Sequence, residues 1–232
     1  MVALGLLCVV AGAALVAAGE WLGALAVLPF GAVLVATGRL RPPAEGSTEG
    51  IRYVEQPVRG TAFTVAPRTA RLTSVSFAGF TLASIGMIAS GEAVVTGIFG
   101  LIVFGGIGAL TVPAMLRGES HPILTPDGIH QRSTFVPWDA IEGWSIYEVR
   151  GIEMLALAVD RSRVRVPRAA RVLFGLNRRL GGGEITVPLS NLAADGDLLV
   201  QVVERVLEHH EDRPLLASPG GPEAVSRLTA AG

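Results

Sequence analysis

The chain has 232 residues, half of them hydrophobic and 17% charged, with a mean hydropathy of +0.51 and a formal net charge of −1. That near-zero sum says nothing about partners, because the distribution of charge decides association. A single cysteine, Cys8, inside an apolar run excludes a disulfide framework and a cysteine-based metal site.

Four apolar runs without a charged residue occupy the first half, at 2–18, 22–38, 72–90 and 93–116. About 20 apolar residues, at a rise of about 1.5 Å each, cross the ~30 Å hydrocarbon core of a bilayer. The last two runs fit that length, and the first two sit at its lower edge. No basic segment precedes the first run, so a helical hairpin turning at Gly19-Glu20-Trp21 is expected rather than a cleaved leader. A second hairpin is expected to turn at Gly91-Glu92.

Between the hairpins, 39–71 carries six arginines (Arg39, Arg41, Arg52, Arg59, Arg68, Arg71) against three glutamates. The positive-inside bias therefore places this loop and everything after Arg117 in the cytoplasm. A multi-pass protein of the plasma membrane, with both termini cytoplasmic, is the expected topology. Small-residue spacings such as Ala93/Gly97 and Gly105/Ala109 favour close helix approach and are compatible with a homo-oligomer. The spans hold no Asp, Glu, Arg or His, which disfavours ion or proton transport. Pro42, Pro43 and Gly46 give the start of the loop the composition of a flexible linker.

The second half reads as short strands and one helix. Residues 123–125 and 129–132 flank Pro126-Asp127-Gly128 as a hairpin, and 135–138 is another extended piece. Residues 143–149 and 152–159 form a hairpin about Arg150-Gly151. A basic strand at 163–166, a basic helix at 168–180 and a last strand at 185–189 follow. Gly181-Gly182-Gly183 lies between helix and strand, the reverse of the order a phosphate loop needs, and reads as a plain turn. Asp195 or Asp197 caps a final helix over 198–210, whose Leu199, Val202, Val203, Val206 and Leu207 make one apolar stripe. Past Asp212 the Pro, Gly, Ala and Ser content predicts a disordered tail.

The strings LTPDGIHQRS (124–133), FVPWDAIEGW (135–144) and ITVPLSNLAADGDLLVQVVERVLEHH (185–210) resemble the bacterial PH-like domains of membrane-anchored proteins. The resemblance covers about two fifths of the chain and implies a fold and a binding or scaffold role, with no site residues to carry over. The expected fold is an all-α four-helix transmembrane region followed by a small β-rich PH-like domain, a β-barrel or sandwich capped by a C-terminal helix. Its segments are a transmembrane hairpin over 1–38, a basic loop over 39–71, a second hairpin over 72–116, the PH-like domain over 120–211 and the tail over 212–232.

No HExxH, CxxC or GxSxG pattern occurs, so no catalytic, cofactor or metal residues are expected and the chain is not read as an enzyme. His209-His210 ends the last helix, where a cation meets the helix dipole favourably. One charge cluster stands out: Arg161, Arg163, Arg165, Arg168, Arg171, Arg178 and Arg179. Near an anionic leaflet each arginine contributes about 1 kcal/mol; the plain alternative is a solvated surface. Without aromatic side chains to stack bases, nucleic acid is not an expected partner. The expected function is a membrane-held binding module that docks a partner protein or anionic lipid headgroups. A membrane enzyme or transporter with a regulatory soluble domain is the alternative.

Overall fold

The computed structural model describes Val10 and residues 43–56, 58–91, 94–106, 108–109, 112–113, 121–131, 134–149, 152–164 and 183–230. They divide into two compact units. One is helical and includes Pro67–Arg117; the other, the β-unit, joins Pro42–Ala66 to Gly118–Gly232.

In the helical unit, α1 (Pro67–Ser90) opens with proline at the position where a missing N–H costs nothing. It closes at Gly91, which adopts φ +75° and donates its N–H to the Ile88 carbonyl. The hydroxyls of Ser74, Ser76, Thr81 and Ser84 donate to carbonyls four residues earlier at 2.7–2.8 Å. These polar groups are thus satisfied within the helix itself, as an apolar surrounding requires. α2 (Val94–Gly100) runs back along α1 and continues as a five-residue π-helical stretch, Leu101–Gly105.

Glycine permits the close approach of the pair. A Cβ on Gly97 would stand 2.7 Å from the Ser84 carbonyl oxygen, and one on Gly100 would collide with Ser84 Oγ. A Cβ on Gly108 would meet the Phe77 side chain at 3.1 Å, and Phe80 stacks on Phe104 with centroids 4.6 Å apart.

The expected four-helix transmembrane region and multi-pass topology are not supported. Among the described residues only α1 is long and apolar enough to cross a bilayer. Within the run at 93–116, Val94–Gly105 is the continuous described stretch, and 106, 108–109 and 112–113 are helical as well. The π-helical turn at Leu101–Gly105 departs from the regular α-helical ladder. The hairpin expected over 1–38 lies, apart from Val10, outside the described residues.

The β-unit holds two antiparallel sheets. The first has five strands in chain order: β1 (Ile51–Val54), β2 (Gly60–Phe63), β3 (Pro122–Thr125), β4 (Gly128–Gln131) and β5 (Thr134–Pro137). The second has three: β6 (Ile141–Val149), β7 (Ile152–Val159) and β8 (Ile185–Pro188). The segment read as a basic loop over 39–71 therefore supplies two strands. β2 pairs with β3 through Thr61↔Leu124 and Ala62↔Ile123, although Pro67–Arg117 of the helical unit separates them in the chain.

α3 (Gly196–Glu208) buries Leu199, Val202, Val203 and Val206 in a core shared with Phe63, Leu124, Trp138, Leu155, Leu157 and Val187. Of the two candidate caps, Asp195 performs the role: its Oδ1 accepts the Asp197 N–H at 3.1 Å and its Oδ2 accepts the Gly46 N–H at 2.6 Å. Trp138, buried in this core, satisfies its indole N–H on the Thr125 carbonyl at 2.8 Å.

The tail expected to be disordered is ordered. A 3-10 stretch, His210–Ala217, leads to α4 (Gly221–Ala230). Gly221, Ala224, Val225 and Leu228 recur at helical spacing and are all buried. The buried Thr61 hydroxyl donates to the Leu216 carbonyl at 2.9 Å, and Arg205 pairs with Asp212 at 2.6 Å. Composition misled here because four apolar positions suffice to bury one face of a short helix. Leu216→Ala or Leu228→Ala removes a fully buried side chain, and each is expected to lower unfolding free energy by about 2–5 kcal/mol in urea titrations.

Candidate functional site

The arginine cluster leaves the sheet at the end of β7. Asp160 Oδ1 accepts both the Ser162 N–H (2.9 Å) and its hydroxyl (2.7 Å), folding 161–163 into a turn that takes in Arg163, the first residue of the strand expected over 163–166, of which 165–166 lie outside the described residues. Those hydrogen bonds hold the Asp160 carboxyl below its ordinary range.

Arg161 and Arg163 are tied to the β-unit's own groups. Arg161 Nε donates to Glu184 Oε1 at 3.2 Å, while Glu184 Oε2 accepts the Val159 N–H at 3.1 Å. Arg163 Nη1 donates to the Asp139 carbonyl at 2.8 Å and lies 3.8 Å from its carboxylate. Arg165, Arg168, Arg171, Arg178 and Arg179, with the expected basic helix, lie outside the described residues. Glu184, its side chain only 5% exposed, was not singled out by sequence. Its partner Val159 lies across the 165–182 segment, so no local spacing announces it. Glu184→Ala leaves a buried N–H unsatisfied and is expected to cost about 1–3 kcal/mol, read as a lowered midpoint in urea.

The second feature is β6, a nine-residue strand at the margin of its sheet. Its register with β7 sets Trp144 opposite Leu157 and Ile146 opposite Leu155. Directly opposed residues share a face, and Leu155 and Leu157 are buried. Trp144 and Ile146 thus carry the core-side row outward to the sheet's open margin, where they are 37% and 46% exposed. Val149 and Ile152 are exposed at the hairpin end. Glu142, Glu148 and Glu153 are exposed around this row and form no ion pair among the described residues. Sequence alternation identified the hairpin; which of its strands is marginal depends on β8, a distant segment.

Two histidines are held neutral. The Val65 N–H donates to His121 Nδ1 at 2.9 Å, joining the chain before α1 to the chain that returns from the helical unit. Burial and then the Arg52 charge push its pKa down. His130 stacks on Phe135 at 4.4 Å and is lowered by burial, partly offset by Asp127. Below the ordinary value of 6.5 the unfolded chain therefore binds more protons than the folded one. Stability is full above that pH and falls as pH drops through 6.5 toward the lower folded-state values. Thermal midpoints are expected to decline from pH 7.5 to 5.5, with a shallower decline in His121→Ala.

Among the described residues no three His, Cys, Asp or Glu side chains are grouped to hold a metal ion. Comparison with protein-family models, with curated proteins and with solved structures finds no match to this chain.

Proposed function

We propose that this protein is a membrane-associated docking module, in which the apolar surface of α1 and α2 holds it to a bilayer and the β-unit docks a partner protein. One observation carries the anchoring: the α1–α2 pair turns large apolar side chains outward. Val75, Leu82, Ile85, Val95, Ile98, Phe99 and Ile102 are all exposed, Val95 at 83% and Phe99 at 68%. Each such side chain gains about 1.5–3 kcal/mol on leaving water, and large apolar side chains exposed in this number on two neighbouring helices favour a membrane or partner surface. The hydroxyls of Ser74, Ser76, Thr81 and Ser84 are bonded within α1, which suits an apolar surrounding.

Docking by the β-unit is inferred from its own surface rather than from the likeness to bacterial PH-like domains. Arg161 and Arg163 are engaged with Glu184 and Asp139, whereas β6 offers exposed apolar side chains and a margin that no strand pairs with among the described residues. A protein partner therefore fits the described surface better than lipid headgroups.

Site-directed spin labels in a Cys8→Ala background test the anchoring. In lipid vesicles, a label at Phe99→Cys is expected to collide with oxygen, and one at Ser162→Cys with an aqueous nickel chelate. Aqueous accessibility at both positions would contradict embedding.

A further inference from the structure

We infer that β6 is a docking edge for an extended polypeptide segment whose side chains alternate between apolar and basic, added to the three-stranded sheet as a further strand. This rests on reading the β-unit as a protein-docking module, and supplies the partner's chemistry.

The backbone comes first. β6 spends its inward hydrogen-bonding groups on β7 along Ile141–Val149, and among the described residues no strand pairs with its other side. Every second N–H and C=O on that side faces outward, a ready template for another strand. Natural edges are blunted by shortness, proline, charged side chains (lysine above all) or bulges. β6 is the longest of the described strands, contains neither proline nor lysine, and has its one irregularity at Ile141/Gly143. Over 143–149 its single charged residue is Glu148, so the edge there is lightly protected.

Side chains then select the occupant. Along the core-side row, Trp144 and Ile146 are followed by the exposed Glu148, with Glu153 opposite it; the exposed Glu142 lies in the irregularity between Ile141 and Gly143 at the other end. An incoming antiparallel strand places its own residues directly against this row. The complementary segment carries apolar, any, apolar at its centre and a basic residue toward each end. A second copy of β6 fits poorly: pairing about Ser145, the register that brings Trp144 to Ile146, sets Glu142 against Glu148 at both ends. Like charges directly opposite destabilise a pair. An anionic lipid surface would meet the same three carboxylates.

The full chain in lipid nanodiscs, probed with the heptapeptides Arg-Thr-Val-Thr-Val-Thr-Arg and Glu-Thr-Val-Thr-Val-Thr-Glu, tests the inference. Amide hydrogen exchange reads where each binds. The basic peptide is expected to slow exchange in β6 saturably, with at least tenfold weaker protection by the acidic one. Glu142→Lys with Glu148→Lys, at exposed positions, is expected to reverse that preference. Equal protection by both peptides, protection elsewhere, or no protection would overturn the docking edge. So would protection of β6 by anionic vesicles in place of peptide. The spin-label result is independent, so failure of the edge is distinguishable from failure of membrane anchoring.

Discussion

The pairing of β2 with β3 is the constraint on which the β-unit depends. Thr61↔Leu124 and Ala62↔Ile123 join two pieces of chain separated by the helical unit. Closing such a loop costs conformational entropy that grows only slowly with its length, so a long helical insertion is tolerable once the strand pairing is secured. The Val65–His121 hydrogen bond stands beside the junction, and the Ala66 N–H donates to the Asn191 carbonyl at 2.9 Å. The point of departure for α1 is thereby fixed by backbone and ring together.

Closure at this junction is reinforced from the far end of the chain. Thr61, on β2, donates its hydroxyl to Leu216, and Gly221 lies so close to β1 that a Cβ would stand 2.7 Å from the Tyr53 nitrogen. The last helix therefore seals the two strands that precede the insertion. First and last segments of the β-unit share one core, consistent with a cooperative folding unit rather than a domain with loose ends. Against that firm body, β6 is the longest of the edge strands among the described residues, and an edge is where a binding surface can exist without costing the core its order.

Much of this was legible in the residues, and the failures have physical causes. Asp127-Gly128 marked the β3–β4 hairpin because the Gly128 position admits no side chain, its Cβ falling against the Val136 backbone. The stripe from Leu199 to Val206 marked α3. Strands β1 and β2 were obscured by Pro57 and Gly60, and at four residues each they are too short to show a period. The recurrence of Gly221, Ala224, Val225 and Leu228 was readable, but the surrounding composition hid it. Apolarity measures solvent preference and not helix length; among the described residues only α1 is both apolar and long enough to cross a bilayer. The charge of the arginine cluster could be read directly; that Arg161 is held by buried Glu184 is a non-local fact. The open margin of β6 is equally non-local, since strand order is set by β8.

Replacing residues 67–117 with a short Gly/Ser linker tests the central claim most directly. Hydrogen exchange measured on the resulting chain would report whether the β-unit assembles around the β2–β3 pairing. The account predicts slow exchange in 51–54 and 60–63 at rates matching 122–131, lost together in one cooperative unfolding transition. Fast exchange in 51–63 beside a folded remainder would contradict it.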